Sequence, residues 1–209
     1  KNDSHRLWKE LNQEDTIAVA QVAPAVRVAV AKEFGYNGEN VMGKIVAALR
    51  RIGFNYIFDT STAADLTVME ESKEFADRLA NGGKLPLFTS CCPAWSVMAK
   101  KLFPTLAPYI SMALTPMVLT ARMLKKDDPD ACIAFIGPCA AKKLEASRRT
   151  IRSDVDFVLT FEELMGMFNA KGVTFEDITD EEKVDLCEGT GDGRGFAVSG
   201  GVAKAVADV

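Results

Sequence analysis

The strongest constraint on this chain is the rhythm of its apolar runs. Short stretches rich in β-branched residues recur, and a longer stretch with helical spacing follows each one. Residues 16–22 (TIAVAQV) read as a buried strand, and Pro24 then opens a helix to about Phe34, with proline in a tolerated first-turn position. Residues 40–52 have helical spacing, 55–58 suggest a second strand, and 63–79 a long helix stopped by Asn81-Gly82-Gly83. Residues 85–88 are expected to form a short strand leading into Thr89-Ser90-Cys91-Cys92-Pro93-Ala94-Trp95, with a helix from Pro93 to Leu102. The pattern then repeats: helix 114–126, strand 131–136 ending at Gly137-Pro138-Cys139, and strand 155–159. Thr160 caps a helix over 161–169, with Glu163 completing a capping box. An acidic turn is expected at 179–183, a Gly-rich loop at 188–195, a last strand at 196–198 and a helix just beginning in 200–209. This alternation predicts an α/β protein: two lobes of mostly parallel twisted sheet flanked by helices, with an active-site cleft between them. The lobes are expected to span 1–108 and 109–209, with the boundary near 104–109.

Composition narrows the class. The 209 residues suffice for one large domain or two small lobes, and 48% apolar with 26% charged residues is ordinary for a soluble protein. The net charge of −4 leaves no basic footprint for nucleic acid. No apolar run approaches the roughly 20 residues that span a bilayer. The start, Lys1-Asn2-Asp3-Ser4-His5-Arg6, is too polar for a signal peptide and lacks an initiator Met. Both ends read as cuts within a longer chain, and the expected compartment is the cytoplasm. Five cysteines, an odd number with two of them adjacent, make a poor disulfide framework and suit metal or redox chemistry in a reducing compartment.

The candidate chemistry lies at two strand-to-helix turns. In parallel sheets ligands bind at this edge, and helix N-termini offer free N–H groups and a positive dipole end. A thiol placed there is expected to have a lowered pKa and to ligate metal more readily. Adjacent Cys91 and Cys92 diverge, so one can hold metal while the other faces another part of the site. Two buried cysteines acting as small hydrophobes would explain the pair taken alone. Cys139 repeats the arrangement, and Lys142 three residues on can point back as a fixed charge. Two such cysteines suggest a shared iron–sulfur cluster. Glu71, Glu74 and Arg78 lie on one face of the 63–79 helix, as a proton-relay row or an ordinary solvated ion pair. Only one of Glu70 and Glu71 can face inward.

Thr89–Trp95 resembles the first signature of iron-only ([FeFe]) hydrogenases, and Pro138-Cys139-Ala140-Ala141-Lys142-Lys143-Leu144-Glu145 resembles the second. Ala23-Pro24-Ala25 and the Gly200-Gly201-Val202 stretch are also similar to segments of that family, so the resemblance covers nearly the whole chain. It implies that Cys92 and Cys139 are two of four ligands of a [4Fe–4S] cluster, and that Cys91 is the acid/base beside a di-iron unit carrying CO and CN⁻. It further implies that Lys142 hydrogen-bonds a cyanide, that Ala23 and Pro24 line the cyanide and carbonyl pocket, and that Ser90 flanks it. The family's proton relay would run through Glu71, Ser111, Glu74 and Arg78. The implied partners are ferredoxin or accessory iron–sulfur domains and cofactor maturation proteins.

There are departures. Gly137 stands where many members have a methionine packed against the bridging carbonyl, and Met117 replaces a frequent glutamine. The third signature, with two more cysteines, is absent, so this chain alone is expected to hold the cluster partly or not at all. Cys132 reads as a core residue and Cys187 has no matching partner. Two alternatives stand beside the hydrogenase reading. One is a non-enzymatic relative in iron–sulfur assembly, which would typically lack the Cys91 equivalent; the other is a regulatory H₂ sensor. Other features read as structural. His5 lies in a polar segment. Met98, Met112, Met117, Met123, Met165 and Met167 are expected to fill gaps in helix packing. Gly191-Asp192-Gly193-Arg194-Gly195 looks like a phosphate loop without its Gly-Lys-Ser/Thr ending.

Overall fold

The computed structural model describes residues 2–36, 41–151, 154–179, 182 and 189–209. The Asn40 helix start, parts of the 179–183 turn, Glu188 and Cys187 therefore lie outside the described residues. In chain order the elements are α1 (Ser4–Leu11), β1 (Ala18–Val22), α2 (Pro24–Glu33), α3 (Met42–Arg51), β2 (Tyr56–Asp59), α4 (Ser61–Ala80), α5 (Pro93–Leu102), a 3₁₀ turn (Pro104–Tyr109), α6 (Pro116–Asp127), β3 (Cys132–Ile136), α7 (Ala141–Ala146), β4 (Phe157–Leu159), α8 (Phe161–Lys171), α9 (Gly191–Gly195) and α10 (Gly201–Asp208). No helix among the described residues is long and apolar enough to cross a membrane.

The apolar runs become strands because they can be buried on both faces. Every residue of β1 and β3 is buried, as expected of central parallel strands covered by helices, and so is every residue of the short edge strand β4. The sheet is parallel with order β2-β1-β3-β4. β2 is an edge strand, and its outward Tyr56 and Phe58 are exposed. The capping box forms as expected: Thr160 Oγ1 accepts from Glu163 N, and the Glu163 carboxylate accepts from Thr160 N. The parallel sheet with flanking helices is the architecture expected from the sequence.

The strand order carries a functional consequence. The chain steps outward from β1 to β2, then returns to place β3 on the other side of β1. The crevice beyond the C-terminal ends of β1 and β3 is thus the topological switch point, where open α/β sheets bind ligands. Ala23-Pro24 leaves β1 there and Gly137-Pro138-Cys139 leaves β3 there.

The sheet draws β1 and β2 from residues before 109 and β3 and β4 from residues after it. Several local expectations are corrected. Residues 85–88 form no strand; only Phe88 bridges to Ile110, because Pro86 has no N–H to give to a ladder. Cys91 and Cys92 therefore sit on a loop before α5, not at a sheet strand's end. Residues 196–198 turn instead of extending, and the Gly-rich stretch contains the short α9. Met117 and Met167 fill the core and Met165 packs against it, but Met98, Met112 and Met123 are exposed, Met112 at 80%.

Candidate functional site

The first motif loop is held by its own residues. Cys92 is the N-cap of α5, its Sγ accepting from Trp95 N at 3.5 Å. Trp95 returns across the loop: its indole N–H donates to Thr89 O at 3.1 Å, and its ring meets Phe88 edge-on, centroids 5.7 Å apart. Ser90 is pinned from two sides, N–H to Glu71 Oε1 at 3.2 Å and Oγ to Ala113 O at 3.3 Å.

The second motif ties itself to the first through Lys142. Its Nζ donates to Cys91 O at 3.1 Å and to Glu145 Oε2 at 2.8 Å. Glu145 is buried and accepts from Thr115 Oγ1 at 3.0 Å, just before α6. A chain of polar contacts thus joins the start of α6, α7 and the Cys91 loop. Glu145 belonged to the quoted motif, but no role followed from sequence. The available signal was its i,i+3 spacing from Lys142.

Three of the relay candidates, Glu71, Glu74 and Arg78, lie along α4, and Ser111 reaches them from the segment before α6. Glu71 is fully buried and Glu70 is exposed, which settles which of the pair faces inward. Glu71 Oε2 is buried with no hydrogen-bond partner among the described residues. Burial pushes this carboxyl above its ordinary value and the neighbouring Glu74 adds to the rise; the Ser90 N–H and the Ser111 hydroxyl pull the other way. Ser111 Oγ donates to Glu74 Oε2 at 2.7 Å. Glu74 pairs with Arg78 at 2.5 Å, and Arg78 also donates to the carbonyls of Lys84 (3.0 Å) and Tyr109 (3.3 Å). The row runs from a buried carboxyl at Glu71 to a partly exposed ion pair.

Cys91 departs from expectation. Its thiol is pushed up to about 11, first by burial, then by the Glu71 charge, with Lys142 opposing. The helix N-terminus acts on Cys92, whose sulfur takes up an α5 N–H, and Cys91 lies outside that cap, near the Glu71 and Glu145 carboxyls and the Lys142 ammonium.

Cys92 is exposed, Cys139 is half-buried, and α5 packs against α7. Two soft thiolate donors on packed elements fit part of a four-thiolate iron–sulfur cradle. Among the described residues no three His, Cys, Asp or Glu side chains converge as a metal site. Cys132 is a buried strand residue, as expected, and His5 is exposed on α1. The phosphate-loop-like stretch cradles an anion from its own chain. Asp65 accepts from Thr190 N (2.7 Å), Thr190 Oγ1 (2.6 Å) and Gly193 N (2.8 Å).

A parallel α/β domain that brings Cys139 out at the switch point and ties it through Lys142 to the Cys91-Cys92 loop has a donor set that suits an iron–sulfur class of protein. Residues 16–209 match the iron only hydrogenase large subunit, C-terminal domain, and the chain belongs to that family. It is 36% identical to the periplasmic [Fe] hydrogenase large subunit of Nitratidesulfovibrio vulgaris over 94% of this chain and 51% of that one. It is also 31% identical to cytosolic iron-sulfur assembly component 3 of Bos taurus over 83% of this chain and 40% of that one. Its fold superposes on an apo variant of [FeFe]-hydrogenase HydA1 from Chlamydomonas reinhardtii with TM-score 0.80 and 32% identity, covering 99% of this chain and 57% of that one. The chain spans about two fifths to one half of the length of the curated hydrogenases it matches. The family implies an iron–sulfur H-cluster in the full-length protein.

Proposed function

We propose that the full-length protein interconverts protons and H₂, and that this chain supplies the proton side of the site and half of the cluster cradle. The observation that carries the reading is the fully buried Glu71 carboxyl, which holds the Ser90 N–H beside Cys91 and keeps Oε2 without a partner among the described residues, with Ser111, Glu74 and Arg78 continuing toward solvent. Bound, the H-cluster supplies electrons and the metal at which H–H bonding occurs. Cys92 and Cys139 would hold its [4Fe–4S] part with thiolates from beyond this chain. Lys142, Ala23, Pro24 and Ser90 would wall the di-iron pocket. Cys91 holds a proton at Sγ at neutral pH and can pass it inward. The unpartnered Glu71 Oε2 is the carboxyl oxygen placed to take a proton from the outer side and hand it on to Cys91, and the Ser111 hydroxyl bridges toward Glu74. Arg78 keeps the Glu74 carboxylate oriented at the outer end. Ferredoxin or accessory iron–sulfur domains would carry the electrons, and maturation proteins would install the di-iron unit. The cytoplasm is the proposed compartment, although one relative is named periplasmic.

The test is H₂ turnover by the matured full-length protein. Cys91→Ala is expected to lower it by on the order of 10²-fold or more with the cluster retained; wild-type rates in that variant overturn the role of Cys91. A second reading, a non-enzymatic iron–sulfur assembly protein, is favoured by the likeness to the bovine assembly component. Wild-type protein that accepts a [4Fe–4S] cluster but never turns over H₂ would support it. A sensory branch is the third reading, suggested by Gly137 and Met117.

A further inference from the structure

Position 137 has no side chain, and a ring occupies the space one would take. A Cβ built on Gly137 would lie 2.7 and 3.2 Å from two Phe135 ring atoms and 3.5 Å from the Ala23 methyl. Residues two apart on a strand share a face. Phe135 pairs in register with Gln21, so Ala23 and Gly137 lie one step further along the same face. The ring is buried and leans along the strand into the room beside Gly137, at the open end of the sheet. It also lies 5.9 Å from the Lys142 ammonium, within reach of a cation–π contact. The same ammonium donates to the Cys91 carbonyl and to the Glu145 carboxylate. Lys142 is therefore held by a carbonyl, a carboxylate and a ring face from three segments of chain.

We propose that Phe135 is a positioning residue of this site: its ring fills the room left by Gly137, walls the pocket beside Ala23 and supports the Lys142 ammonium. The inference rests on the reading of Ala23 and Lys142 as pocket residues. Bulk at 135 and its absence at 137 form a coupled pair. A side chain at 137 forces the ring to shift, because a Cβ there would lie 2.7 Å from a Phe135 ring atom. A flexible aliphatic chain at 137 could restore the volume but would offer no ring face to the ammonium.

The test uses the full-length protein without cofactor, with variants Phe135→Ala, Phe135→Leu, Gly137→Met and the double Phe135→Ala/Gly137→Met. Gly137→Met alone is expected to lower Tm by roughly 3–10 °C and Phe135→Ala by roughly 6–15 °C. The double variant should lose less than the sum of the two. Lys142 acylation by acetic anhydride at fixed pH, followed by mass spectrometry, reads the positioning role. Phe135→Leu should acylate at Lys142 on the order of three-fold faster than wild type. Lys143, paired with Glu163 at 2.7 Å, serves as the unchanged reference. Additive Tm losses, or a Lys142 rate unmoved in Phe135→Leu, overturn the proposal. Phe135→Leu keeps most of the ring's volume and carries the test if Phe135→Ala does not fold. Turnover of matured wild type is measured separately, so loss of the hydrogenase reading leaves a distinct signature.

Discussion

Removing the Glu145 carboxylate isolates the contact that joins the two cysteine motifs. The Glu145 side chain is 3% exposed and its partner Lys142 13%, so solvent screens the pair weakly. Glu145→Ala leaves a nearly buried ammonium with the Cys91 carbonyl and the Phe135 ring, and it strands the Thr115 hydroxyl. Breaking a buried pair by deleting one partner costs about 3–5 kcal/mol, because the surviving charge is uncompensated. The lost Thr115 hydrogen bond adds about 1 kcal/mol. Glu145→Gln keeps the shape and one acceptor, so its expected cost is smaller, about 1–3 kcal/mol. The double variant Lys142→Met/Glu145→Met removes both charges and should be less destabilised than Glu145→Ala, since an apolar pair carries no desolvation penalty. Urea unfolding of the full-length protein, with linear extrapolation, measures all three. A Glu145→Ala protein within about 0.5 kcal/mol of wild type would place the pair among inconsequential contacts. A double variant at least as destabilised as the single one would refute the unpaired-charge argument.

Two further outcomes follow from the relay helix. Glu71 holds its proton in the native state at pH values where the unfolded chain has released it, because burial raises its pKa. Above the ordinary value of 4.5, and up to the higher native one, the unfolded state binds fewer protons, so this group's contribution to stability falls as pH rises. Glu71→Gln removes that slope and should gain Tm relative to wild type as pH climbs above 4.5; a widening loss instead would refute the buried, unpaired carboxyl. At the start of the same helix, a Cβ on Gly193 would lie 2.2 Å from Ser61 O and 2.7 Å from Asp65 Oδ1. Gly193→Ala is therefore expected to cost about 3 kcal/mol in urea unfolding, since backbone cannot yield as a side chain can. A loss under about 0.5 kcal/mol would show that α9 and α4 do not meet this closely.

Where an element's cause is local, the sequence announced it. The α8 capping box needs only Thr160 and Glu163, three residues apart. β1 and β3 needed only apolar runs of strand length, and the shared face of Glu71, Glu74 and Arg78 needed only helical spacing. Where the cause is distant, inference faltered. Residues 85–88 have strand-like composition, but Pro86 and the lack of a neighbouring strand leave them a single bridge. The Gly-rich stretch read as a structural loop, but nothing local named its partner: its N–H groups donate to Asp65, 125 or more residues away in sequence.

The site divides along the same line. The residue types determine the available donors: two thiolates for iron, one thiol and two carboxyls for protons, one lysine and one arginine as fixed charges. Tertiary structure decides what each donor can do. Helix position suggested an acidic thiol at Cys91; burial and the Glu71 charge push it up to about 11 instead. The contacts responsible, Ser90 to Glu71 across 19 residues and Lys142 to Cys91 across 51, come from the packing of separate segments. Spacing sets what lies within a turn of helix, whereas desolvation and Coulomb neighbours depend on which segments the fold brings together.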